Sequence, residues 1–245
     1  MMRVVLIVQA RMGSTRLPGK VLKPLVGAPM IQRQLERLAR CRNVDQIVVA
    51  TTESPKDDHL VELLSNLMGV GVFRGSEEDV LSRFMGAAEA FGADVVVRVT
   101  ADCPLIDPEV VDAGIELYRS LQPEVAYVSN GFKRTFPRGL DVEVFPMSAL
   151  SEAYAEATSA SDREHVTPFI WRQPDRYSRA DLIDAEDNSR YRWTVDTSED
   201  LQLVTEVYER LYKADPEFGY EDVLELMRTE PGLPQLNQHV EQKKV

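Results

Sequence analysis

RVVLIV (residues 3–8) runs directly into QARMGSTRLPGKVL (residues 9–22). A short apolar run rich in β-branched residues, bounded at once by glycine and proline, reads as a buried strand. The loop therefore leaves the carboxyl end of that strand, the edge at which open α/β sheets bind ligands. Within ten residues it holds Gly13 and Gly19, the hydroxyls of Ser14 and Thr15, and the cations Arg11, Arg16 and Lys20. Glycine lets backbone N–H groups approach an anion, and converging N–H groups form an anion-binding concavity. Basic side chains add charge-assisted hydrogen bonds to phosphate oxygens. The loop reads as a triphosphate cradle, and a surface loop that is merely basic is the weaker alternative.

It is not a Walker-type loop. That motif places four residues between its glycines and a hydroxyl residue after the lysine. Here five residues separate Gly13 from Gly19, and Val21 follows Lys20. Pro18 disfavours helical geometry at Leu17, so the loop is expected to stay extended past its first turn.

Outward from this loop the pattern alternates. Helices are expected at 30–40, 56–67 and 79–91, and strands at 46–51, 70–73 and 94–100. Four strands alternating with three helices predict βαβ units, and hence an α/β, doubly wound, mostly parallel sheet. The least regular part is 122–190, expected to be a small inserted subdomain within one domain spanning 1–245, with strands at 125–129 and 140–145 and a helix at 147–157. A further strand is expected at 191–195, followed by a helix at 198–211.

Several polar residues fall at expected strand ends. Thr51 closes one strand and is a candidate for the base pocket. Arg74 and Ser76 follow another, and Ser76 with Asp79 also matches a helix cap of the S-x-x-D type. Asp102 lies just beyond the strand that ends at Thr100, where turn chemistry alone reads it as a turn stabiliser. Asp196 precedes a helix and reads either as its cap or as a metal ligand. Two polar clusters lie between them. In the first, Arg138 approaches a strand that puts Asp141 and Glu143 on one face. The second includes Glu164 and His165. Arg138 with Asp141 could form a salt bridge, and His165 could be packed in a helix or lie at a dimer interface.

Composition narrows the function classes. A net charge of −12 disfavours general nucleic-acid binding. Two cysteines, Cys41 and Cys103, make neither a disulfide framework nor a zinc site. The start lacks a secretory apolar region, and no apolar run approaches eighteen residues, so a soluble, cytoplasmic protein without membrane contact is expected. The segment after Pro231, through Gln242-Lys243-Lys244, is expected to fray.

Gln9-Ala10-Arg11 with Ser14-Thr15-Arg16-Leu17-Pro18-Gly19-Lys20 resembles the signature of the sugar-acid cytidylyltransferases. The relevant groups are the deoxy-manno-octulosonate (Kdo) cytidylyltransferases and the spore coat polysaccharide biosynthesis cytidylyltransferase-like family. The resemblance implies a sheet of the nucleotide-diphospho-sugar transferase type. It also implies CTP as a partner, with Ala10, Arg11, Gly13, Ser14, Arg16 and Lys20 at the nucleotide, joined by Thr51, Arg74, Ser76 and Thr100. Asp102 sits in a segment similar to V-Q-G-D-E-P-L/M-I, whose aspartate binds the metal. Thr100 and Ala101 depart from it where glutamine and glycine are usual. Asp196 lies in a match to V-D-T-P/S-E-D-L, the motif of the other metal-binding aspartate. The resemblance thus implies Mg²⁺ on Asp102 and Asp196, with Arg11 and Lys20 catalytic beside them. It further implies acceptor contacts from Arg138, Asp141, Glu143, Glu164 and His165, and a homodimer. The expected reaction is transfer of a cytidylyl group to a sugar acid or related acceptor with release of pyrophosphate. A glycosyltransferase of the same fold is the chief alternative, although Ala101-Asp102-Cys103 is not its usual Asp-X-Asp motif. A nucleotide sensor without catalysis is a second.

Overall fold

The protein is described here by a computed structural model covering residues 2–242. In chain order its strands are β1 (Val4–Gln9), β2 (Pro24–Leu25), β3 (Ala28–Pro29), β4 (Gln46–Thr52), β5 (Val70–Gly75), β6 (Val95–Thr100), β7 (Tyr127–Ser129), β8 (Glu143–Pro146) and β9 (Arg179–Asp181). The helices of the first half are α1 (Met30–Leu38), α2 (Asp58–Ser65), α3 (Val80–Ala90) and α4 (Pro108–Ser120). Those of the second half are α5 (Met147–Glu156), α6 (Ala160–His165), α7 (Pro168–Trp171), α8 (Ser198–Leu211), α9 (Tyr220–Thr229) and α10 (Gly232–Gln235).

Seven strands form one sheet in the order β5-β4-β1-β6-β8-β7-β9, and β2 and β3 form a separate small hairpin. β1 pairs in parallel with β4 and β6, and β4 pairs in parallel with β5. The expected parallel sheet is therefore present, with β1 at its centre. Alternation along β1 explains the two layers of helices. Val4, Leu6 and Val8 pack with residues of α1, α2, α4, α8 and α9, whereas Val5 and Ile7 pack with α3, α5 and α7. Both faces are buried, which is why the strand reads as an unbroken apolar run.

The segment 122–190 joins the same sheet. β8 runs antiparallel to β6 and to β7, and β9 lies parallel to β7. α4 adds a helix after Asp102, and its start follows ordinary capping chemistry. Asp107 accepts from Glu109 N at 2.8 Å, and Pro108 takes the first turn, where no N–H is needed.

Three local expectations are corrected. Residues 191–195 are extended but form no strand. Their neighbour is the turn at Arg138, so only an isolated parallel bridge, Arg138 with Arg192, can form. The loop after Gly19 tightens into a 3₁₀ turn, Lys20–Leu22, instead of staying extended. The left-handed conformation of Gly19 (φ 66°) absorbs the change of direction that Pro18 forbids to helix. Finally, the segment after Pro231 is anchored at Leu233 and Asn237, which are buried, although most of its other described residues are exposed. Asn237 is buried and donates to Arg192 O at 2.9 Å and to Asp200 at 2.8 Å. Lys243 and Lys244 lie outside the described residues.

Candidate active site

The cradle loop is fixed from below by Asp57. This buried carboxylate accepts from Met12 N at 2.8 Å, Thr51 Oγ1 at 2.9 Å and Thr52 N at 3.1 Å. Burial raises its pKa, but the hydrogen bond from Thr52 Oγ1, at 2.5 Å, together with these three outweighs burial and holds it below the usual carboxylate value. Within the loop, Ser14 N and Gly19 N both donate to Met12 O, at 2.9 and 3.1 Å. The end of β4 and the loop after β1 are thus one unit.

Lys20 projects from this unit towards the two aspartates. Its Nζ donates to Asp102 Oδ2 at 3.1 Å, Asp196 Oδ1 at 3.0 Å and the carbonyl of Val195 at 2.8 Å. Burial works against the ammonium, but the charges of Asp102 and Asp196 prevail and raise its pKa above the ordinary lysine value. Burial likewise pushes Asp102 up. Lys20 and the hydrogen bond from Thr100 Oγ1, at 2.5 Å, more than offset this and leave it lowered. Thr100, at one of the two positions that depart from the family segment, therefore orients Asp102.

The aspartates are ninety-four positions apart, and backbone hydrogen bonds bring them together. Val195 N donates to Asp102 O at 2.7 Å, and Trp193 N donates to Arg138 O at 2.7 Å. This crossing needs Gly139 (φ 105°), because a Cβ there would stand 2.6 Å from the Trp193 carbonyl carbon. Asp196 is not the cap of α8. Thr197 is, in a capping box with Asp200, which leaves the Asp196 side chain to the site. Asp196 Oδ2 accepts from Arg16 at 2.8 Å and from Arg192 at 2.9 Å. Arg192 is oriented in turn by the buried Asp200, at 2.9 and 3.1 Å.

Two clefts meet at this cluster. One, of about 410 Å³, is lined by the loop residues Ala10, Arg11, Gly13, Ser14, Arg16 and Lys20, together with Glu164. The other, of about 380 Å³, is lined by Arg138, Asp141, Glu143 and His165, with Phe132 and Trp171 on its wall. Thr100, Asp102 and Asp196 line both. The expected acceptor residues thus gather in the second cleft, except Glu164, which faces the loop.

Inside that cleft the charges are unevenly matched. Glu143 is engaged by Arg98, by Tyr127 OH and by Thr167 Oγ1. Asp141 accepts from Arg134 and from Gly139 N at 2.9 Å. Its ion-pair partner is Arg134, not Arg138. The segment between His165 and Thr167 is strained. Val166 sits at φ 71°, ψ −56°, in a γ-turn closed by Thr167 N donating to His165 O at 2.9 Å. This is a rare conformation for a β-branched residue, and it fixes how two lining residues approach the cleft.

Other expected residues serve nearby structure. Arg74 pairs with Asp58 at 2.8 Å and donates to Thr52 O at 2.9 Å. Ser76 accepts from Asp79 N at 3.0 Å, while Asp79 itself caps α3. Thr51 is wholly buried on Asp57, and Arg11 pairs with Glu77 at 3.5 Å. Asp57, Arg192, Asp200 and Arg98 are the site-building residues that motif reading leaves out. Arg98 meets Glu143, and Asp57 meets Met12, each across forty-five positions, so no local pattern marks those contacts, whereas Arg192 and Asp200 lie within eight positions of each other and their role shows only once their side chains are placed.

Among the described residues, no group of three or more His, Cys, Asp or Glu is placed to hold a metal. The protein's share of a metal site would therefore be Asp102 and Asp196. Two carboxylates and the Val195 carbonyl already converge on one cation, the Lys20 ammonium. Such hard oxygen donors suit a hard divalent ion completed by water and phosphate oxygens.

Comparison with known proteins identifies the family. The cytidylyltransferase family model matches residues 5–244. The spore coat polysaccharide biosynthesis protein SpsF of Bacillus subtilis is 33% identical over 93% of this chain and 95% of its own. A 3-deoxy-manno-octulosonate cytidylyltransferase of Geobacter sulfurreducens is 37% identical over 46% of this chain and 44% of its own. The solved structure of a cytidylyltransferase from Leptospira borgpetersenii superposes with a TM-score of 0.91 at 34% identity, covering all of both chains. These matches do not favour the glycosyltransferase alternative. The chain belongs to the cytidylyltransferase family and is a nucleotidyltransferase.

Proposed function

We propose that this enzyme transfers the cytidylyl group of CTP to an oxygen of a sugar acid or related acceptor, releasing pyrophosphate, in the synthesis of a surface polysaccharide. The observation that carries this reading is the junction of the two clefts at Thr100, Asp102 and Asp196. A reaction joining two substrates needs such a shared boundary, and much of its barrier is overcome by alignment. The names of SpsF and of the octulosonate enzyme support the acceptor class.

In this reading the loop from Ala10 to Lys20 receives the triphosphate, and the second cleft receives the acceptor. Asp102 and Asp196 would hold Mg²⁺, which when bound supplies Lewis acidity and charge neutralisation at the phosphate. Arg11, Arg16 and Lys20 supply positive charge where the departing pyrophosphate gathers negative charge. Arg138 is a cation of the acceptor cleft with no carboxylate in ion-pair contact among the described residues, and it would receive the acceptor's acid group. Burial and the neighbouring Arg134 lower its pKa, so an anion there relieves repulsion.

The test is pyrophosphate release with each of four nucleoside triphosphates against a panel of sugar acids, with and without Mg²⁺. CTP with a sugar acid is expected to give turnover that depends on the metal. Turnover with a different nucleotide, or hydrolysis without any acceptor dependence, would overturn the reading. Lys20→Ala is expected to lower kcat/KM by about 2–4 kcal/mol, as removing one preorganised charge-stabilising donor does.

A further inference from the structure

Asp196 is saturated with cations. Oδ1 accepts from Lys20, and Oδ2 accepts from both Arg16 and Arg192. Lys20 also covers the inward oxygen of Asp102 and the Val195 carbonyl. The ammonium therefore stands where the oxygens that could bind a divalent ion converge. A cation cannot join this group at full strength while Lys20 remains, because like charges in contact cost several kcal/mol.

We infer that Lys20 and Arg16 mask the cation site of the free enzyme and yield it only when a triphosphate draws both side chains onto its own oxygens. This inference rests on the reading of Asp102 and Asp196 as cation ligands. It adds an order of events, since neither carboxylate is open to metal before the nucleotide arrives.

Three observations fit the exchange. Lys20 and Arg16 belong to the cradle loop itself, so a triphosphate lying along that loop is within reach of both. Arg192 differs, being buried and held in place by Asp200, so it stays on Asp196 and keeps the carboxylate oriented. The charges also balance. A metal-bound triphosphate retains net negative charge, and the two cations released from the aspartates are available to meet it. Residues of the phosphate loop thus act twice, first as substitutes for the metal and then as phosphate ligands. The arrangement keeps the carboxylates compensated in both states, which matters because a partly buried carboxylate without a partner is costly.

The experiment titrates Mn²⁺ into the nucleotide-free protein and follows the unbound ion by electron paramagnetic resonance. Wild type, Lys20→Met, Arg16→Ala and the double variant Lys20→Met/Asp196→Asn are compared, with thermal melts confirming that each is folded. Lys20→Met is expected to bind Mn²⁺ at least about tenfold more tightly than wild type. Arg16→Ala, at the exposed rim of the cluster, should show a smaller gain, and the double variant should lose the gain. Equal Mn²⁺ affinity in wild type, Lys20→Met and Arg16→Ala would overturn the masking. Adding CTP to wild type separates this result from the assigned function. If Lys20→Met gains affinity but CTP does not strengthen Mn²⁺ binding to wild type, the covering of the carboxylates by Lys20 stands, while its release by CTP, and with it the CTP reading, fails.

Discussion

Lys20 satisfies three acceptors at once, and a compact ammonium on a flexible stem suits that geometry. A guanidinium is planar and presents its donors in a fixed fork. Lys20→Arg is therefore expected to lose most of the kcat/KM that Lys20→Ala loses, although it keeps the charge, and pyrophosphate release with saturating acceptor measures this. Retention of near wild-type activity would show that only net charge matters here. At this scale the sequence was informative where a residue's role is local. The glycines and cations of residues 9–22 mark a candidate anion site by their spacing alone, and the structure gathers six of the expected residues around one cleft. Asp196 could not be separated from a helix cap by position, because Thr197 next to it is an equally good cap. The structure separates them through the Thr197–Asp200 capping box. Arg192 and Asp57 gave no such sign: the loop that Asp57 ties down lies forty-five positions away, and the pairing of Arg192 with Asp196 and Asp200 depends on how the chain turns between them.

The elements that matter most are the cradle loop and the crossing of the Arg138 turn over residues 193–195. For the loop, Asp57→Asn weakens the acceptor that ties Met12 N and both threonines together. It should raise KM for the nucleotide more than it lowers kcat, and steady-state kinetics with varied nucleotide checks this. For the crossing, Gly139→Ala puts a Cβ against the backbone of Trp193 and Thr194 at a left-handed φ. A cost of about 1–3 kcal/mol or more is expected from strain at such a position, read as a lowered urea midpoint. Activity should fall further than stability does, because the same crossing brings Asp196 to Asp102. An unchanged midpoint would contradict the described register. The apolar runs and helical periodicities of the first hundred residues identified the main strands and helices to within about two residues at each end, but not the β2–β3 hairpin. Residues 191–195 have the composition of a strand, but their neighbour is a turn and the ladder cannot propagate. Pairing is a property of two segments, and one segment's pattern cannot report it.

On the scale of the whole molecule, buried charge sets the response to pH. Burial opposes ionisation of Asp200, but Arg192, Asp196 N and Asn237 outweigh it and lower its pKa. Asp57 and Asp102 shift in the same direction. A lowered folded value means that the charged form favours folding. That contribution is complete above the unfolded carboxylate value of about 3.9 and is lost as pH falls through the folded value. The urea-midpoint gap between wild type and Asp200→Asn should therefore be full at neutral pH and shrink in acid. The thiols behave oppositely. Burial, with Asp112 and Asp107 nearby, pushes Cys41 up to about 12, and burial with Asp102 drives Cys103 well above its usual value. Both should resist alkylation at mildly alkaline pH in the native protein and react once it is unfolded, which intact mass would record. Among the described residues no helix is long and apolar enough to cross a membrane. The fold class was legible because alternating elements leave a parallel sheet as the natural solution. The continuation of that sheet through 122–190 was not, because β7, β8 and β9 are short and pair out of sequence order.

In the proposed enzyme a phosphate-binding loop and an acceptor cleft meet at one cation held by Asp102 and Asp196. An anomalous difference map at the manganese edge, from crystals soaked with CTP and Mn²⁺, tests this. A peak is expected between the two carboxylates, with the triphosphate lying along residues 10–20 and Lys20 turned onto its oxygens. A peak bound elsewhere, or a triphosphate outside the loop while Lys20 still bridges the aspartates, would contradict it.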